Sequence, residues 1–408
     1  MEPKATKPSS KAVWFVLATV LVDMIGLGLI IPVVPTILRE LAHTDTAGAA
    51  KYGGLLVFAY AAMQFVCSPV IGGLSDAYGR RPLLLLAVLG LGIDNALTAF
   101  APSLGWLFVG RLVAGMCGAS YATASAYIAD VTEPEERGRA FGLVGAAWGV
   151  GFVLGPALGG LLGGYGPRLP FLVASGLALA NALYGLFVLP ESLPKEARRP
   201  FSLRRANPLG SLFAVRGEQV SLALFAALFL YMLASSVYPS VWTFYTMDRY
   251  GWDERLVGAS LAAYGIVGSI VQAAAVGPIL AKLGERRAAI LALAIDAVAL
   301  TAFGFATRGW MIFVLIFVAS PSGVAFPALK AVMSNSVPAN AQGTLQGAVG
   351  SLEGIASILG PIVMTMLFSF FGGHEAAFRA PGAPFFCAGL LTAFAVAMLV
   401  RAKAPAAG

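Results

Sequence analysis

Charge is scarce in this chain: Asp, Glu, Lys and Arg make up 12% of 408 residues, about half of the ~25% usual in a soluble domain. That leaves too little polar surface to cover a globular core of this length, which excludes an ordinary soluble enzyme. Histidine is scarcer still. His43 and His374 are the two histidines, and both fall in stretches read as outer loops, so no histidine relay can run inside a membrane. Three cysteines, Cys67, Cys117 and Cys387, lie scattered in apolar runs. An odd set of this kind gives neither a disulfide framework nor metal-ligand spacing, and small apolar filler is the reading for each. No G-x-x-x-x-G-K-[ST] stretch occurs, which excludes ATP hydrolysis at a P-loop within the chain. Nucleophile elbow, dinucleotide turn and metal motif are missing too, so neither an enzyme activity nor a cofactor is expected.

What is present is apolar length. Hydrophobic residues form 58% of the chain and mean hydropathy is +0.82. Runs of about 20 apolar residues, enough to cross a ~30 Å hydrocarbon core, recur from end to end. Backbone groups find no partners in lipid, so such runs are helices or closed barrel strands. These lack period-2 alternation and read as helices. The expected fold is an all-α membrane protein with twelve spans, near 13–36, 50–74, 82–101, 104–128, 139–163, 168–189, 219–245, 255–280, 287–306, 309–333, 343–371 and 381–401. Glycine, with 48 residues, suits helices that pack closely through small residues.

The net charge of +7 follows topology rather than a polyanion partner, and no nucleic acid is expected. Lys4, Lys7 and Lys11 precede the first span; Arg80 and Arg81 follow the second, Arg137 and Arg139 the fourth, and Lys195 to Arg216 the sixth. Lys282 to Arg287 follow the eighth, and Arg401 and Lys403 end the chain. By the positive-inside rule these loops and both termini are cytoplasmic, and Glu133, Glu135 and Glu136 count little against it. The first apolar run lacks a cleavage site and reads as a retained span.

A polar, Pro- and Arg-rich stretch divides the chain into an N-terminal six-helix half, 1–190, a cytoplasmic linker, 191–218, and a C-terminal six-helix half, 219–408. The halves match at a constant offset of 205 residues: Gly53 falls on Gly258, Gly72 on Gly277, Gly79 on Gly284, Gly118 on Gly323, and Gly155-Pro156 on Gly360-Pro361. Duplicated six-span halves are a transporter architecture, with the substrate site near the midplane between repeats.

Several motifs then name a family. Asp23-x-x-Gly26-x-Gly28-Leu29-Ile30-x-Pro32 opens the chain, and Gly72-Gly73-Leu74-Ser75-Asp76-Ala77-Tyr78-Gly79-Arg80-Arg81 follows the second span. Arg111-x-x-x-Gly115-x-x-Gly118 lies in the fourth span and Gly151-x-x-x-Gly155-Pro156-x-x-Gly159-Gly160 in the fifth. Over about Phe15 to Phe370 the chain resembles the major facilitator superfamily, and within it the tetracycline-type drug:proton antiporters. Departures stand beside the match. Gly268 occupies the place of a span-eight histidine, Ala77 that of an arginine, and Lys330 and Glu353 those of uncharged residues.

Ionisable residues at mid-membrane are costly, by at least about 2.5–3.5 kcal/mol on insertion scales. Asp23 lies about ten residues, or ~15 Å, into the first span, and Asp94 and Asp296 lie at comparable depths in spans three and nine. With Arg111 and Glu353 they form the buried set. The functional reading is a proton relay and a cation-binding pocket, in which a carboxylate poised between burial and a nearby cation takes up and releases a proton. The structural alternative is fixed ion pairing, for instance Asp23 with Arg111. Gln64 and Gln272 are intramembrane amides that either meet substrate or bond across helices. Lys330, near the cytoplasmic end of span ten, reads as a snorkelling side chain in preference to a pair with Glu353. The resemblance implies that Asp76, Gly79, Arg80 and Arg81 form a gating loop with Arg80 reaching Asp130. It also implies that Gly151, Gly155, Pro156, Gly159 and Gly160 form an antiporter contact.

The expected activity is proton-coupled export of an amphipathic, tetracycline-like drug, free or as a metal chelate, by a monomer working by alternating access. The Ala-, Gly- and Arg-rich composition leans to a bacterial inner membrane. Two rivals stay open: the same fold moving another drug class or an endogenous metabolite, and a non-transporting sensor or scaffold.

Overall fold

A computed structural model describes residues 10–118, 120–133, 136–202, 221–338, 341–373, 376 and 378–402. Lys4, Lys7, Glu135, His374, Lys403 and linker positions 203–218 lie outside these. Among the described residues every regular element is helical. Ten helices among the described residues are long and apolar enough to cross a membrane: Thr46–Tyr78, Arg80–Ala99, Arg137–Gly163, Leu169–Val188, Leu222–Tyr250, Glu254–Leu283, Glu285–Phe305, Gly309–Ser334, Gln342–Gly372 and Ala383–Arg401. They are spans two, three and five to twelve of the sequence reading. Span one is a bent pair, Trp14–Ile30 and Val34–Ala42. The bend holds Pro32, which lacks the amide that an unbroken helix needs there. Span four is two shorter helices, Leu104–Cys117 and Ser120–Val131.

Contacts divide the chain into two units, one holding Met1–Val34 and Ala62–Asn207, the other Pro35–Ala61 and Pro208–Gly408. In the first, span one packs on spans five and six, and span three on spans four and six. In the second, span seven packs on eleven and twelve, and span nine on ten and twelve. Adding six to each number turns one set of partners into the other, so the repeat seen in the sequence recurs in the packing.

Glycine makes the key packings possible. A Cβ on Gly155 would stand 2.7 Å from the Cα of Gly28, and one on Gly151 would stand 2.6 Å from the Cβ of Met24. At Gly159 the backbone of Leu29 is closer still. Gly151, Gly155 and Gly159 recur every four residues, and that spacing lays them along one face of span five. In the second unit Gly360, the offset partner of Gly155, is closed in the same way by Ser236 of span seven.

Two spans of the second unit depart from α-helical winding at places that touch. Span eight widens at Val271–Ala275 and span ten tightens at Ser320–Val324, which includes Pro321. The two segments pack on each other, with Val271 beside Gly323.

Candidate functional site

Each unit encloses a buried acid. In the first, antiparallel spans three and four bring Asp94 and Arg111 together, 17 residues apart in sequence, in a salt bridge. Asp94 is 1% exposed. Its Oδ2 accepts from the guanidinium, while Oδ1 has no hydrogen-bond partner among the described residues. Gly110 is kept small by this acid, since a Cβ there would lie 2.6 Å from Oδ1. From sequence, Asp23 is an ion-pair candidate for Arg111; the structure forms the bridge to Asp94. Asp23 sits half-buried in span one. The Gln64 amide donates to the Gly118 carbonyl at 2.7 Å, at the point where span four breaks.

In the second unit Asp296 of span nine is 3% exposed. The Tyr238 hydroxyl donates to its Oδ1 at 3.4 Å, and Ser322, in the tightened turn of span ten, is a second hydrogen-bonding neighbour of the carboxylate. Tyr238 stacks on Tyr264 at 5.5 Å between ring centroids, and its edge meets Phe303. Among the described residues no cation forms a salt bridge with Asp296. The two buried acids are thus alike in burial and unlike in charge balance. Gln272 lies exposed in the widened turn of span eight. At Gly268, one turn earlier, a Cβ would meet nothing within 4 Å.

Lys330 departs from the sequence expectation. Instead of snorkelling alone, its ammonium lies 3.0 Å from Glu353 Oε1 of span eleven. Nearby, Gln342 joins the ends of the two spans, accepting from Ser334 Oγ at 2.9 Å and donating to its carbonyl at 2.8 Å. This pinned connection holds the start of span eleven alongside the end of span ten.

The loop after span two forms a separate charged cluster. Gly79 has a φ of 111°, a left-handed conformation that favours glycine. The chain turns there and continues into span three at Arg80. The Arg80 guanidinium reaches Asp76 at 2.5 Å, Asp130 at 3.2 Å and Ser75 Oγ at 3.2 Å. Arg81 donates to the Leu186 carbonyl at 2.7 Å. A participant that sequence reasoning passes over is Glu191. Its carboxylate accepts from the Arg80 amide at 2.8 Å and lies so close to Gly79 that a Cβ there would stand 2.7 Å from its Cδ. Ser192 adds a bond to Asp130 at 3.1 Å, and the Arg199 amide donates to the Asp76 carbonyl at 3.1 Å. The first residues of the supposed linker are therefore part of this cluster. Asp248, 5% exposed at its side chain and bridged to Arg379 at 3.1 Å, is a second residue that sequence reasoning misses. An acid at the end of the apolar run of span seven was the one signal available for it.

Comparison with known proteins gives concordant results. The family model of the Major Facilitator Superfamily matches residues 15–273 and 223–408. The class C tetracycline resistance protein of Escherichia coli is 43% identical over 88% of this chain and 90% of its own length. The class G tetracycline resistance protein of Vibrio anguillarum is 42% identical over 86% of this chain and 88% of its own. Among solved structures, the nucleoside transporter NupG superposes with a TM-score of 0.76 at 12% identity, covering 96% of this chain and 100% of that one; this likeness concerns the fold.

Proposed function

Because the chain belongs to the major facilitator superfamily, beside the tetracycline resistance proteins, we propose that it exports an amphipathic, tetracycline-like drug in exchange for protons. It works as a monomer in the bacterial inner membrane, with both termini cytoplasmic, by alternating access of the halves 1–190 and 219–408. The drug crosses free or as a metal chelate. The superfamily is one of transporters rather than an enzyme class.

The observation that carries the coupling is Asp296. A carboxylate this far from water, bonded to a tyrosine and lacking a cation, has reason to exchange a proton when its surroundings change. Asp94 is balanced by Arg111 and serves as the paired counterpart in the first half, with Asp23, Gln64, Gln272 and Glu353 along the pathway. The Asp76–Arg80–Asp130 cluster, with Gly79 and Arg81, is the gating loop, fastened in this chain by Glu191. Gly151, Gly155, Pro156, Gly159 and Gly160 are the antiporter motif, proposed from sequence as a sliding contact between the halves; Gly151, Gly155 and Gly159 pack instead on span one of the same unit.

The test is tetracycline-driven proton release from inverted vesicles energised by respiration, comparing wild type with Asp296→Asn. A response in wild type that disappears in the variant supports the proposal, whereas export that continues without proton movement refutes the coupling. A second reading, the same fold and coupling with a different drug class, is favoured by the open space at Gly268. A resistance profile that omits tetracycline would select it.

A further inference from the structure

From the surroundings of Lys330 and Glu353, we infer that Lys330, Phe326 and Glu353 form a subsite in the second unit that takes the anionic group of an aromatic acid or zwitterion. The inference rests on the export reading and narrows its substrate class.

The first ground is how the pair is made. The Lys330 ammonium lies 3.0 Å from Glu353 Oε1. That carboxylate takes up one of the ammonium's three donors, which leaves two for an incoming acceptor. The same ammonium lies 4.5 Å from the centroid of the Phe326 ring, one turn earlier on span ten. A cation flanked by a ring presents a charge and an apolar surface together, which suits an anion carried on an aromatic body.

The second ground is accessibility. The two side chains are 35% and 36% exposed, and the question is whether they face lipid. At about 100° per residue, Gln346, Gly350 and Ser357 fall within about 60° of Glu353 around span eleven, and all three are exposed. The exposed apolar residues of the same helix, Leu359, Val363, Met366 and Phe370, fall roughly 80–140° away. The exposed positions near Glu353 are thus polar or glycine, while Val349, Ala356 and Met364 on the same arc are buried. An ion pair whose exposed neighbours are a glutamine, a glycine and a serine suits a watered face better than a lipid-facing one.

The chemistry is competition. An acid arriving at Lys330 competes with Glu353 for the ammonium. The subsite therefore distinguishes acids from their neutral isosteres.

The experiment uses the purified full-length chain in nanodiscs, with tritiated 2-naphthoate and 2-naphthamide as matched probes in equilibrium binding. Wild type is expected to bind the carboxylate about tenfold more tightly, as expected for one charge-assisted hydrogen bond. Lys330→Met removes that preference and leaves the amide unchanged, and Glu353→Gln strengthens naphthoate binding. The double variant Lys330→Met/Glu353→Met, which holds no unpaired charge, guards against misfolding of the single one. If it regains naphthoate preference, the pair acts only as structure and the inference is overturned. Equal binding of both probes by wild type overturns it as well. Drug export measured separately in cells distinguishes the two levels: export with no naphthoate preference removes the subsite alone, and absence of export removes the wider reading.

Discussion

Breaking the Asp94–Arg111 bridge should be far worse than deleting it. Arg111→Gln leaves a carboxylate that is 1% exposed without its cation, and Asp94→Asn leaves the guanidinium without its anion. Removing one partner of a buried pair typically costs about 3–5 kcal/mol, whereas replacing both with neutral groups is often close to neutral. Arg111 is 18% exposed at its side chain, so water recovers part of the loss for Asp94→Asn, and Arg111→Gln is the more damaging change. The double variant Asp94→Asn/Arg111→Gln should regain most of the loss, so with one single loss of about 3–5 kcal/mol and a double near neutral the coupling energy is at least about 3 kcal/mol, at or above the upper end for neighbours in direct contact. The measurement is unfolding in mixed micelles, monitored by tryptophan fluorescence, for wild type, both single variants and the double. Single-variant losses that simply add, with coupling below about 0.5 kcal/mol, would refute the reasoning. Drug export by the double variant is then informative by itself. Recovered stability with lost export assigns the pair to transport, and recovery of both assigns it to packing.

Other expectations are checked more briefly. Gly155→Leu forces a side chain onto the Gly28 backbone 2.7 Å away and should destabilise by about 1–3 kcal/mol, while Gly142→Leu, whose Cβ meets nothing within 4 Å, should stay within about 0.5 kcal/mol; thermal melts of the two compare them. Arg80→Lys should not rescue the export lost in Arg80→Ala, because a single ammonium cannot span Asp76, Asp130 and Ser75 as the guanidinium fork does; drug accumulation in cells reads this. Gly268→His should fold with its melting temperature within about 4 °C of wild type, since the space is open, and the drugs it resists should change.

The spans were legible because lipid imposes one rule on length and polarity, and that rule acts locally. Every one of the twelve expected segments has its helix or helix pair, including 104–128, which is interrupted at Cys117 where Gly118 follows. The duplication was legible for a similar reason: Gly155 and Gly360 each permit a close approach that a larger residue would block. Partnerships between distant residues were harder. Asp94 and Arg111 both stood out as charges in apolar runs, but the bridge between them depends on how two antiparallel helices are rotated about their axes. Glu191 was hidden because a polar residue in a polar stretch carries no signal, and its role depends on a fold that returns it to Gly79. Lys330 misled for the opposite reason, since a long side chain near a helix end has a ready explanation that requires no partner.

The unequal charge balance of the two buried acids has an electrical consequence. Asp94 with Arg111 is a dipole of zero net charge, as is Lys330 with Glu353, so a membrane voltage does almost no net work when either pair shifts as a unit. Asp296 has no such counterweight among the described residues, and while ionised it feels the field as a whole charge, about 2.3 kcal/mol per 100 mV for a full crossing. Neutralised by a proton, it feels almost none. The voltage dependence of turnover therefore reports whether the second unit travels with Asp296 charged or neutral.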